Sequence, residues 1–212
     1  MLSYPFSHYI SLAVVLMVGF TAHEFAHAWT ADYFGDDTPR RYGRLTLNPL
    51  AHLDILGTLM MLLVGFGWAK PVPVNPYTLA NRSRSAPMLV ALSGPLANLF
   101  IALAASVPIG AGLIQQSSIS GSIFPSLYDL LVYLVLYNLV LFFLNLIPLH
   151  PLDGEEVALY FLPPAGKDFL MGLRRFGPGI LILVLLLLPR LGLPIVDWLV
   201  FRPALWIADL LL

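Results

Sequence analysis

Residues 9–29 read YISLAVVLMVGFTAHEFAHAW, an almost unbroken hydrocarbon run that carries His23, Glu24 and His27 near its end. A run of this length is a transmembrane-helix candidate, since about 20 residues rising 1.5 Å each cross a hydrocarbon layer of about 30 Å. The three ionisable groups do not suit that setting. Each costs about 2.5 to 3.5 kcal/mol at mid-bilayer depth on insertion scales, so three together call for a compensating partner. Their spacing suggests one. Histidines four apart lie one above the other on a single helix face, where both imidazoles reach one zinc ion, and the intervening Glu sits where it can take a proton from a zinc-held water. The H-E-x-x-H pattern reads as a metallopeptidase signature placed inside a membrane.

The rest of the chain agrees with a membrane setting. Of 212 residues, 58% are hydrophobic and 11% charged, and the mean hydropathy is +0.83. These values belong to polytopic membrane proteins and not to soluble domains. A formal net charge of -1, with no polybasic run or acidic tail, leaves no electrostatic footprint for nucleic acid. The absence of cysteine removes disulfides and thiolate ligands, so imidazole and carboxylate are the expected metal ligands. With no basic region ahead of it and no small-residue cleavage site, the first apolar run is expected to be a retained helix and not a signal peptide. One membrane domain over residues 1–212 is expected.

The pattern predicts an all-α polytopic membrane protein of about four to six transmembrane helices, with a re-entrant or extended element after the first helix. Spanning helices are expected at Ser7–Tyr33, Pro87–Leu113, Ser126–Ile147 and Phe176–Pro189, and Pro194–Leu212 forms a further apolar element interrupted by Asp197, Arg202 and Pro203. The segment His52–Gly67 is short for a crossing and runs into Gly65, Gly67, Pro71, Pro73 and Pro76. Charge placement bears on it. Arg40, Arg41 and Arg44 follow the first helix, Lys70, Arg82 and Arg84 precede the second long one, and Lys167, Arg174 and Arg175 follow the third. All three basic loops face the cytoplasm only if His52–Gly67 dips in and returns. The alternating Val and Pro of Lys70–Pro76 would then line a protein-enclosed groove.

This topology brings the end of the third long helix to the face that carries the His-Glu cluster. That end holds Asn145, Ile147, Pro148, His150, Leu152, Asp153 and Gly154. Asp153 is thereby the expected third zinc ligand, since two imidazoles and one carboxylate leave the fourth tetrahedral position open, as a hydrolytic zinc requires. An ion or proton transporter built on buried His, Glu and Asp is the alternative. It lacks paired inverted repeats here, and transport does not need Glu between histidines at zinc spacing.

His23 to His27, Ser93-Gly94-Pro95 with Asn98, and Asn145 to Gly154 ending in Leu152-Asp153-Gly154 together resemble the site-2 protease family of intramembrane zinc metalloproteases. Gly43 to Gly57, with Leu47-Asn48-Pro49-Leu50 and His52, and Gly67 to Pro76 are similar to its compact subgroup without PDZ or CBS domains. His150 stands where the family has an apolar residue or proline, and Ile55 where proline is expected. The resemblance implies one zinc ion on His23, His27 and Asp153, catalysis by Glu24, and hydrolysis of peptide bonds in or near transmembrane segments of substrate proteins.

Within that chemistry Asn145 is a candidate donor to the oxyanion, because an uncharged amide hydrogen-bonds the substrate without competing for zinc. Asn98 is expected to support helix contact, and His52 to assist catalysis or pack at an interface. Glu155 and Glu156 are expected to cap the short helix that follows Gly154. The expected partners are a transmembrane protein or peptide substrate and the lipid bilayer, with oligomeric state open. The expected location is a prokaryotic plasma or inner membrane, with the active site toward the cytoplasm.

Overall fold

The first element, α1 (Phe6–Tyr33), follows directly from the opening apolar run, and at 1.5 Å per residue its 28 residues exceed the thickness of a hydrocarbon layer. In this computed structural model, residues 5–54, 57, 68–116 and 124–212 are described. A four-residue helix α2 (Thr38–Arg41) turns the chain after α1. Further on come α3 (Pro76–Arg82), α4 (Ala86–Gly110) and α5 (Leu127–Asn145). Pro76 and Pro87 sit in first turns, where a missing N–H costs nothing. A capping box starts α5: Ser126 Oγ accepts from Asp129 N–H at 3.0 Å, while Asp129 accepts from Ser126 N–H at 3.3 Å.

After α5 the chain folds through α6 (Gly154–Phe161), α7 (Pro164–Leu173) and α8 (Gly177–Ile182), and ends in α9 (Arg202–Leu211). Among the described residues four helical runs are long and apolar enough to cross a membrane: Phe6–Tyr33, Ala86–Gly110, Leu127–Asn145 and Pro164–Leu187. The first three match the expected spans within a few residues. The fourth begins at Pro164 and not at Phe176, because α7 and α8 run on through a single 3-10 turn at Arg174–Phe176. The last apolar element is helical over residues 195–211. It contains a π turn at Asp197–Phe201, whose five-residue closure brings Arg202 Nε within 2.9 Å of Asp197 Oδ2. The two charges that seemed to interrupt this element therefore satisfy each other.

The bundle turns large apolar side chains outward, and its interior combines alanines and polar groups with a few larger apolar residues. Val14, Met17 and Val18 of α1 and Leu96, Phe100 and Val107 of α4 are exposed. Ala102 and Ala105 of α4, Val135 and Leu139 of α5, and Ala204 and Ala208 of α9 form one buried cluster. Here α4 packs against both α1 and α5. Gly19 permits the closest approach of α1, since a Cβ there would meet Asn138 Oδ1 at 3.0 Å and Leu141 Cδ1 at 3.1 Å.

The interior of the expected re-entrant segment, 58–67, lies outside the described residues. Its flanks are described. Leu53 and Ala69 form an isolated antiparallel bridge, and Lys70 N–H donates to His52 O at 2.8 Å, so the chain leaves and returns at one place. From Lys70 to Asn75 it runs without helix.

Candidate metal centre

Helical spacing places His23 and His27 on the face of α1 that meets α4 and α5. Both rings are buried, and their Nε2 atoms lie 3.0 Å apart. Each ring is oriented from its other nitrogen. His27 Nδ1 lies 2.7 Å from Val90 O, and a carbonyl can only accept, so the hydrogen is on Nδ1. His23 Nδ1 lies 2.7 Å from Asn98 Oδ1. The Asn98 amide is fixed in this sense because its Nδ2 donates to Gly19 O at 3.1 Å and to Asn138 Oδ1 at 2.9 Å. Both rings thus turn Nε2 inward, and in the neutral form with its hydrogen on Nδ1 each offers a lone pair there.

A carboxylate completes the group. Asp153 Oδ2 lies 3.0 Å from His23 Nε2, and Oδ1 lies 3.3 Å from His27 Nε2. In that neutral form these are contacts between acceptors, and Asp153 Oδ2 is buried without a hydrogen-bond partner. The turn that delivers Asp153 depends on Gly154, where a Cβ would stand 2.3 Å from Leu146 O and 2.5 Å from Ile147 O. Any other residue would hold α6 away from the end of α5. Gly94 clears the opposite wall, since a Cβ there would lie 2.5 Å from His27 Nε2 and 2.7 Å from His23 Cε1.

Four acceptor atoms facing one another repel unless a cation lies among them. The ligand atoms of His23, His27 and Asp153 all fall within 4.8 Å of one another. Tetrahedral zinc, with bonds of about 2.0 to 2.1 Å, holds its ligand atoms about 3.3 Å apart, so imidazole and carboxylate at these separations fit it. Glu24 is buried on the same helix, and its Oε2 accepts from Val72 N–H at 3.0 Å.

Other candidates fall elsewhere. Asn145 donates through Nδ2 to Leu141 O at 3.0 Å, and no hydrogen bond ties it to the His-Asp group among the described residues. His52 is fully buried in the loop after α1, with Nε2 donating to Thr46 O at 2.8 Å. Glu155 and Glu156 lie in the first turn of α6, as the capping reading expects, and their carboxylates also pair with side chains beyond it. Glu155 accepts from Arg174 Nε at 2.6 Å and lies 3.0 Å from His150 Nδ1, and Glu156 accepts from Arg174 at 2.6 Å. They tie the Asp153 turn to the chain after α7. Asn98 does hold helices together, as expected, but it also orients the His23 ring. Asn138, its partner on α5, escaped sequence reasoning, because an amide in an apolar helix carries no sign of which distant side chain it meets.

Sequence comparison agrees with the geometry. The chain is 40% identical over 194 residues to "Putative zinc metalloprotease YwhC" of Bacillus subtilis, covering 89% of this chain and 85% of that protein. It is 31% identical over 195 residues to "Putative zinc metalloprotease Rip2" of Mycolicibacterium smegmatis, covering 87% and 71%. Against Rip2 of Mycobacterium tuberculosis the identity is 30% over 200 residues, covering 92% and 71%. No family model and no solved structure matches. The chain belongs to the zinc metalloprotease family of these bacterial proteins, and zinc is its cofactor.

Proposed function

We propose that this chain is an intramembrane zinc metalloprotease of the site-2 protease type, one membrane domain over residues 1–212, that hydrolyses peptide bonds in or near transmembrane segments of substrate proteins. His23, His27 and Asp153 are its metal ligands and Glu24 its general base. One observation supports the reading: the Nε2 atoms of two imidazoles and a carboxylate converge beside a buried Glu on an apolar helix. Zinc bound there supplies Lewis acidity, polarising a peptide carbonyl and acidifying water. Glu24 accepts the proton of the attacking water and returns it to the leaving amine. Asn145 retains a second amide hydrogen beyond the one given to Leu141, and we assign it to the developing oxyanion. The site faces the cytoplasm, on the side of the basic loops.

A transmembrane helix hides its carbonyls in its own hydrogen bonds, so the substrate unwinds before attack. The strap at Val72–Asn75 offers the freed backbone an edge by strand addition. Its N–H groups at Val72 and Asn75 already serve Glu24 and Asp36, so substrate N–H groups would meet strap carbonyls.

Purified zinc-loaded protein in detergent, given a transmembrane test substrate, is expected to cleave it, and Glu24→Gln to cut at least about 1000-fold more slowly with zinc content unchanged. Equal cleavage by the two would sink the mechanism. Metal-dependent ion flux without cleavage would favour transport.

A further inference from the structure

Prolines at 71, 73 and 76 have no N–H, so the strap from Lys70 to Asn75 cannot be fixed by a regular ladder of backbone bonds. Charged side chains hold it instead. Val72 N–H donates to Glu24 Oε2 at 3.0 Å, and Asn75 N–H donates to Asp36 Oδ2. At the other end the guanidinium of Arg44 donates to Lys70 O at 3.1 Å and Pro71 O at 3.0 Å, and its second branch donates to Ala51 O. Arg44 is 5% exposed and Asp36 1%. Among the described residues neither forms an ion pair. Burial of a charge without a counter-charge destabilises a fold unless hydrogen bonds satisfy it. For both groups those bonds come from backbone, and the strap takes part in each set; Asp36 Oδ1 also accepts from Thr38 N–H at 3.0 Å.

We propose that Arg44 and Asp36 are positioning residues for Glu24. They clamp the strap at its two ends, so that Val72 N–H stays on Oε2 of Glu24 and leaves Oε1 for the attacking water. Without that donor the Glu side chain, with its several rotamers, has no fixed direction toward the metal ligands. The kinetic consequence rests on the protease reading, while the clamp itself does not.

Three variants test it. Arg44→Lys keeps the charge, but a compact ammonium lacks the planar fork that spans Ala51 and Pro71. Asp36→Asn keeps the shape and loses one of two acceptors. Val72→Pro removes the N–H on Glu24, between two positions that are already proline. In zinc-loaded protein each is expected to lower kcat about 10- to 100-fold, with KM within about twofold and zinc stoichiometry unchanged. Amide hydrogen exchange in 70–75 is expected to quicken in Arg44→Lys and Asp36→Asn.

Wild-type kcat in Val72→Pro overturns the proposal, even if Arg44→Lys fails to fold. So does wild-type kcat in Arg44→Lys and Asp36→Asn with faster exchange in the strap, or unchanged exchange in both. Should the unaltered protein cleave nothing, the protease reading fails, and exchange still reports whether the two charges hold the strap.

Discussion

At the residue scale the centre is set by what is absent from two positions as much as by its ligands. A methyl at Gly94 would lie 2.5 Å from the His27 ring, and the ring has no room to retreat while Val90 holds its other nitrogen. Gly94→Ala is therefore expected to reduce bound zinc to well below one ion per chain and to cut proteolysis at least about 100-fold, checked by metal analysis beside a cleavage assay. The three side chains that converge were legible in sequence. Helical spacing gave His23 and His27 a common face, and matched depth gave them Asp153. What sequence did not show were the side chains that act across the bundle. Asn98 and Asn138 look alike as isolated amides in apolar helices, and Arg44 looks like one more cytoplasmic charge. Only packing separates Arg40, which pairs with Asp32 at 2.7 Å on the surface, from Arg44, buried on backbone carbonyls.

At the element scale the amides of Asn98 and Asn138 join α1, α4 and α5 in one polar node. Interhelical hydrogen bonds of this kind contribute about 0.6 kcal/mol on average and up to about 1.7 kcal/mol in membranes. Asn138→Ala is expected to lower stability by that range in detergent unfolding titrations and to loosen zinc, because Asn98 then loses a restraint on the acceptor it offers His23. An unchanged unfolding midpoint would show that the node contributes nothing. The three long helices could be read from hydropathy because their apolar runs are uninterrupted. The fourth could not be bounded, since Lys167 and Asp168 in α7 and Arg174 and Arg175 in the 3-10 turn after it break the hydropathy while the helical path continues. The last was obscured by Asp197 and Arg202, whose mutual pairing needs a π turn that no residue pattern announces.

At the scale of the whole molecule, metal and fold are coupled. A ligand that binds the folded chain alone stabilises it by RT ln(1 + [L]/Kd), about 2.7 kcal/mol at 100 times Kd. A strong chelator is therefore expected to lower the melting temperature of the unaltered protein by several degrees and to leave His23→Ala unmoved; equal shifts would place the metal elsewhere. The coupling also has an order in time. His23 and His27 leave the ribosome early on α1, the groups that aim them follow on α4, and the carboxylate comes only once α5 is made and the chain has doubled back at Gly154. A polypeptide stalled anywhere before that fold lacks one of the three proposed ligands, so proteolysis is expected to await the turn at Gly154.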